Sequence, residues 1–328
     1  MFTRYGVDVE LLPPLQRQER LARLSNGEVD LALIDLASFV DLVATEKSVG
    51  ARCVFVLTQR LPMAALHVRG RPVDGRPIAS PHDLLRARYG APTSSNFVAE
   101  HRALLRRLGG DDPRLHVELP YSAVFAALAN GGVDVVPDFA GTLPRYERAL
   151  EEGPARPAPE ARPELGALRY RECGVRAYGI GFVASAAAMR WRAREIEAFL
   201  AAARQAYGRM QVNPASVIGV ASKVLPSLDQ AYALREWETE EQGVIFGYEA
   251  AEQGVGASTP EVWRDTVAWR REVARLPFSP EPEALFLALS TSLTRPSAQD
   301  THEPQNQRDA YSKQDRQDHG SRGHDASR

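Results

Sequence analysis

The chain has 328 residues, long enough for two domains, and 44% of them are hydrophobic, enough for real cores. A formal net charge of −2 gives no reason to expect nucleic acid or an anionic membrane as a partner. The two cysteines, Cys53 and Cys173, are too few and too isolated for a disulfide framework or a thiolate metal site, and no stretch is long and apolar enough to span a bilayer.

In chain order, Val7–Leu12 alternates like a strand that Pro13-Pro14 ends, and Leu15, Leu21 and Leu24 line a helix closed by Gly27. An apolar strand follows at 31–34, then a helical pattern from about Ser38 to Thr45. Arg52–Thr58 and Met63–Arg69 read as strands, and Pro72–Ile78 as a connector rich in Gly and Pro. Ser80-Pro81-His82-Asp83 carries helix-start chemistry: a cap, a proline for the first turn and an acid for the positive helix end. A short strand is expected near Arg88–Ala91. A helix after Thr93-Ser94-Ser95-Asn96 puts Phe97, Leu104, Leu105 and Leu108 on one face. Val117–Leu119 reads as a strand, and Ser122 as the cap of the next helix. Residues 151–166 read as an exposed loop and Tyr178–Val183 as a strand. Helices follow around Ile196–Tyr207, after Asn213-Pro214 and after Thr259-Pro260. Residues 294–328 are nearly free of apolar side chains and are expected to be a disordered tail.

One phrase occurs twice. Residues 24–30 read L-S-N-G-E-V-D, and residues 128–134 read L-A-N-G-G-V-D. Each closes a helical pattern with glycine, enters an apolar run and stops at a carboxylate, Asp35 and Asp138. That grammar describes a helix, a turn and a buried parallel strand with a polar tip, the end at which open α/β sheets collect ligands. Two such units imply two α/β lobes presenting Asp35 and Asp138 to a shared cleft.

Other candidates come from local chemistry. Free N–H groups and hydroxyls at Thr93, Ser94, Ser95 and Asn96 suit an anionic or acceptor group; the same residues also suit helix capping. Asp35 and Asp138 suit an amine or amidine, or alternatively a turn cap. Phe139 and Tyr178 suit stacking on a planar ligand, or core packing. The tryptophans sit on helical patterns and read as packing residues. The histidines show no metal-ligand spacing, there is no phosphate loop or nucleophile elbow, and no cofactor or metal is expected.

Four phrases, in order, resemble the substrate-binding proteins of ABC importers for sulfonates, nitrate and thiamine-pyrimidine precursors. They are Phe2–Val9, Gly27–Asp35, Pro77–Leu84 and Gly131–Asp138, and the resemblance covers about residues 2–290. It implies an α/β type II periplasmic binding protein fold with two lobes that close on a small ligand. Lobe 1 is expected over 1–75 and 180–290 and lobe 2 over 76–179, with crossings near Val73–Ile78 and Arg176–Tyr178. The resemblance makes Ser38 a further candidate for ligand contact. It also implies a permease partner, a periplasmic or extracytoplasmic location, no catalysis and a monomer.

Two departures are visible. The family's signal peptide and first lobe 1 strand have no counterpart before Met1, so the strand order is expected to lack that strand and the reading frame to start upstream; taken literally, the polypeptide stays in the cytoplasm. The family's pyrimidine-synthase branch has a lysine where this chain has Ile34, a histidine where it has Ser38, and a cysteine-rich run near Cys173–Tyr178. Ile34 forms no Schiff base, which argues against that enzyme. A same-fold decarboxylase and a cytoplasmic ligand sensor are the alternatives to a transport receptor.

Overall fold

A computed structural model of the chain describes residues 2–13, 15–46, 50–152 and 164–287. The strands in chain order are β1 (Leu31–Asp35), β2 (Arg52–Val56), β3 (Met63–Val68), β4 (Pro72–Val73), β5 (Arg76–Pro77), β6 (Tyr89–Ala91), β7 (His116–Glu118), β8 (Val135–Phe139), β9 (Leu165–Arg169) and β10 (Ile180–Ala184). The helices used below are α1 (Arg17–Ser25), α2 (Leu36–Thr45), α3 (Asn96–Arg107), α4 (Tyr121–Asn130), α5 (Leu143–Glu152), α6 (Ala186–Trp191), α7 (Ala193–Val212), α8 (Pro214–Val224), α9 (Gln230–Glu236), α10 (Gln242–Ile245), α11 (Tyr248–Gln253) and α12 (Pro260–Val273).

Among the described residues two larger sheets divide the molecule, and β4 and β5 pair with each other as a small hairpin. The first has the order β1-β10-β2, and the second β7-β6-β8-β3-β9. The repeated phrase therefore supplies one strand to each lobe, β1 to the first and β8 to the second. The neighbours of these strands differ from the all-parallel expectation. Among the described residues β1 pairs with β10 alone, antiparallel, at the sheet edge. β8 is parallel to β6 and antiparallel to β3. The period of two along the strand explains why Leu33 is exposed while Ala32 and Ile34 are buried.

Val7–Leu12 alternates in sequence but pairs with no strand among the described residues. Val7 alone of that stretch is buried. The helix before Val124 starts at Tyr121 behind Pro120, so Ser122 lies inside it rather than capping it. Most of the 151–166 stretch and the whole 294–328 tail lie outside the described residues.

The cores locate the crossings between lobes. Val56 and Leu57 pack in the first lobe, whereas Leu61 and Met63 pack in the second, so the chain passes over between Leu57 and Leu61. That is earlier than the expected Val73–Ile78, and both of those residues lie in the second lobe's core. β3 carries the boundary with it, because its six buried residues pair with β8 and β9. The return falls between Ala177, packed in the second lobe, and Tyr178, packed in the first. Cys53 is a buried free thiol of the first lobe, pushed up to about 12 by burial. Cys173 is a free thiol packed on the second lobe's core.

A third tie is α12. Its first half puts Val262, Trp263 and Val267 into the first core, and one turn later Trp269 enters the second. Trp269 Nε1 donates to Glu100 Oε2 of α3 at 2.5 Å. Arg270 donates to both oxygens of Asp41 on α2, at 2.8 Å each, and to Glu100 Oε1 at 3.3 Å. Burial is the main cause that pushes Glu100 up to about 7, against the pull of Arg270 and Trp269. This cluster holds the starts of α2 and α3 on one side of the interlobe junction. On the other side Glu240, in a π-helical turn at Trp237–Glu241, is buried between Arg169 (2.6 Å) and Arg171 of the second lobe.

Candidate functional site between the lobes

The helix-closing turns of the repeated phrase are the same in both lobes. Gly27 has φ of 71° and Gly131 of 77°, the left-handed region where a Cβ is costly. In each turn the next amide reaches back across the end of the helix, Glu28 N to Arg23 O at 2.9 Å and Gly132 N to Ala127 O at 2.8 Å. The strands that follow carry their carboxylates into different surroundings.

Asp35 ends β1 and caps α2. It accepts from Ala37 N (3.1 Å), Ser38 N (3.3 Å) and Ser38 Oγ (2.7 Å). Ser38, itself buried, accepts from Arg17 at 3.3 Å. The structure brings these two candidates together, but their polar atoms are engaged within the first lobe.

Asp138 lies near the end of β8 and has a different set of partners. Phe139 N donates to Oδ1 at 2.7 Å and the Tyr146 hydroxyl to Oδ2 at 2.9 Å. Burial pushes its pKa upward from the usual carboxylate range. The Phe139 amide, the hydroxyls of Tyr146 and Thr142, and the Arg145 charge oppose that push. Strand alternation turns the next side chain away. Phe139 packs edge-on against Phe97 (centroids 5.1 Å apart), which meets Tyr121 at 6.3 Å. Phe139 and Tyr121 are both exposed, so these rings form an open aromatic wall.

Phe97 follows directly on the 93–96 loop. Ser95 caps α3, accepting from Phe97 N (3.1 Å) and Val98 N (3.4 Å), and Thr93 N donates to the Glu118 carboxylate at 2.9 Å. Ser94 and Asn96 are exposed at the positive end of α3, beside the aromatic wall. Tyr178 takes the packing role. It is 1% exposed, its hydroxyl accepts from Thr259 N at 2.9 Å, and its ring meets Trp263 edge-on at 5.3 Å. It stacks on a protein neighbour in the first core and does not line the cleft.

The cleft itself opens between α5 of the second lobe and α9 of the first. It encloses about 570 Å³ and is lined by Thr142, Arg145, Arg148, Ala149, Tyr232 and Glu236. Two ion pairs hold its walls together: Arg148 with Asp229, and Arg235 with Glu147 at 2.5 Å. Arg145 lies within electrostatic reach of Asp138, Tyr232 and Glu236, which ties the β8 carboxylate to the cleft. Burial raises the Glu236 carboxyl, and Arg145 pulls it back. Sequence reading missed Arg145, Tyr232 and Glu236, and also Phe97 and Tyr121. Arg145 had a signal, since polar residues opening a helix just after a strand tip sit at the ligand end of an α/β unit. Nothing in Gln230–Glu236 marks it, because its role depends on a contact across roughly ninety residues of chain. Among the described residues, no cluster of three or more His, Cys, Asp or Glu side chains is arranged to hold a metal ion.

Residues 1–217 match the family described as NMT1/THI5 like. No curated protein matches the sequence. Among solved structures, the periplasmic aliphatic sulphonate binding protein SsuA of Escherichia coli has a TM-score of 0.60 at 15% identity, covering 88% of this chain and 83% of its own. A Candida albicans gene product with the generic periplasmic binding protein fold has a TM-score of 0.57 at 14% identity, covering 91% and 92%. The alkanesulfonate-binding protein SsuA of Xanthomonas axonopodis pv. citri, bound to MOPS, has a TM-score of 0.52 at 18% identity, covering 81% and 83%. At such identities these likenesses speak for the fold, which is the periplasmic binding protein fold. The match over residues 1–217, with two sheets and the family's phrases at the ends of their strands, identifies the chain as a member of the NMT1/THI5-like family.

Proposed function

We propose that the protein is the solute-binding component of an ABC import system. It takes a small nitrogen-bearing molecule between its lobes and delivers it, as a monomer outside the cytoplasm, to a membrane permease. The observation that carries this reading is the cleft between α5 and α9, which draws its lining from both lobes. A ligand seated there gains contacts when the lobes approach, and that difference in contacts drives closure. The family and the fold support the same reading. Asp138 and Glu236 beside the cleft favour a nitrogen-bearing ligand over a bare anion. The protein binds without chemistry. Ile34, 2% exposed on β1, stands where the pyrimidine-synthase branch has its lysine, and an alkyl side chain forms no Schiff base. Among the described residues no helix is long and apolar enough to cross a membrane.

The test is a thermal-shift screen against aminopyrimidines, alkanesulfonates and amino acids, followed by calorimetry and small-angle scattering on any hit. The expected result is one-to-one binding with a smaller radius of gyration. Hits that leave the scattering curve unchanged would remove the closing-receptor reading. An absorbance band from bound pyridoxal phosphate, or turnover of it, would replace that reading with the enzymatic one.

A further inference from the structure

Of the three charged side chains that line the cleft, two face it from opposite lobes. Arg145 belongs to α5 of the second lobe and Glu236 to α9 of the first. Each is within the other's electrostatic reach, yet among the described residues neither makes an ion pair with the other. The other arginine of the lining, Arg148, already holds Asp229. Arg145 is exposed to the cleft, and Glu236 is half-buried with Tyr232 one turn before it on the same helix. Asp138, engaged by Tyr146 and its own Phe139 amide, adds a second negative charge near Arg145.

From this arrangement we infer that the ligand is a small zwitterion, its anionic group held by Arg145 and its protonated amine by Glu236. This deepens the receptor reading and rests on it. A bare anion satisfies Arg145 but meets Glu236 and Asp138 as like charges. A bare cation reverses the conflict. A molecule with both groups satisfies both walls at once, and its attachment to one lobe at each end is what couples occupancy to closure. Guanidinium suits carboxylate, sulfonate or phosphonate through paired N–H donors, so the geometry fixes the charge pattern and leaves the acid group open. The volume of the cleft accommodates a short chain between the two groups.

The experiment is calorimetry of the full chain with three matched probes: 3-aminopropanoate or 2-aminoethanesulfonate, the same acids without the amine, and ethylamine. The aminated acids are expected to bind roughly 10- to 100-fold more tightly than either half, the increment of one charge-assisted hydrogen bond. Glu236→Gln is expected to erase the advantage of the amine and to tighten the deaminated acid, whose like charge is gone. Arg145→Met is expected to weaken both acids and to tighten ethylamine for the same reason. Both positions border solvent, and unchanged unfolding curves certify the variants. Propanoate or ethanesulfonate binding as tightly as its aminated partner overturns the zwitterion assignment. If a neutral pyrimidine or a plain alkanesulfonate binds and closes the lobes instead, the assignment falls and the receptor reading stands. If no probe of any class binds or alters the scattering curve, both fall together.

Discussion

At Gly27 and at Gly131 the backbone makes the same turn, and β1 and β8 leave those turns as counterparts in two sheets. Their terminal carboxylates then diverge. Asp35 is followed at once by α2 and accepts two of that helix's amides. Asp138 is followed by Phe139 and a short turn before α5, so the next helix starts too late for it to cap. Asp138 instead takes a tyrosine hydroxyl and lies near the cleft. A repeated phrase thus makes the same turn and strand in both copies, while the residues just after it decide whether the carboxylate caps a helix or takes a tyrosine hydroxyl near the cleft.

The widest gap between the copies is expected in binding. Asp138→Asn removes a charge beside the cleft and is expected to weaken the ligand roughly tenfold, the scale of a nearby charge lost without a direct contact. Asp35→Asn is expected to change affinity by only about twofold, since its oxygens are turned into α2. Calorimetry with one ligand decides this, and equal losses in the two variants would erase the contrast. Stability is expected to reverse the order. Asp35→Ala removes an N-cap and should cost about 1–2 kcal/mol in urea unfolding, with Asp35→Ser restoring most of it. Asp138→Ala removes a half-buried charge that burial already disfavours, so it is expected to cost less. The backbone variants should then show the copies as equals. Gly27→Ala and Gly131→Ala each force a side chain into positive φ, at about 1 kcal/mol apiece. A Cβ at Gly27 also meets the Ala187 methyl at 3.4 Å, an ordinary contact, so the two losses should agree within about 0.5 kcal/mol.

Much of the division into halves was legible because it rests on local chemistry: glycine where φ must be positive, apolar runs of strand length, and serine or aspartate before helices. What failed depended on distant partners. The alternation in Val7–Leu12 is a strand pattern that pairs with no strand among the described residues. β3 is apolar enough for either sheet, and only its pairing with β8 and β9 assigns it. Tyr178 has one ring and one hydroxyl that suit a ligand or a core equally well, and Thr259 and Trp263 settle the matter from more than eighty residues away. The candidate site was half legible for the same reason. Asp138, Phe139 and the 93–96 loop lie at the ends of strands, whereas Tyr232 and Glu236 reach the cleft only through the packing of α9 against α5.

The smallest expected effect is the most specific test of what separates the carboxylates. The Tyr146 hydroxyl donates to Asp138 and helps hold its pKa down against burial. Tyr146→Phe removes that donor, so the Asp138 pKa should rise further. The sign for folding follows. With its pKa raised above the unfolded value, Asp138 contributes most to stability below the unfolded pKa, and that contribution is lost as pH rises through the folded pKa. Removing the hydroxyl extends the window upward, so the variant's deficit should be larger near neutrality than in acid. Binding of a cationic or zwitterionic ligand runs the other way: affinity falls as acid protonates Asp138, and the midpoint of that fall should move to higher pH in Tyr146→Phe. Asp35 also takes a hydroxyl, from Ser38 of the helix that follows it, but that hydroxyl and the two amides beside it hold the carboxylate on the start of α2 within the first lobe. Ser38→Ala should therefore leave the pH midpoint of ligand binding where it is. A midpoint that moves with Ser38 and not with Tyr146 would exchange the roles assigned to the two strand tips.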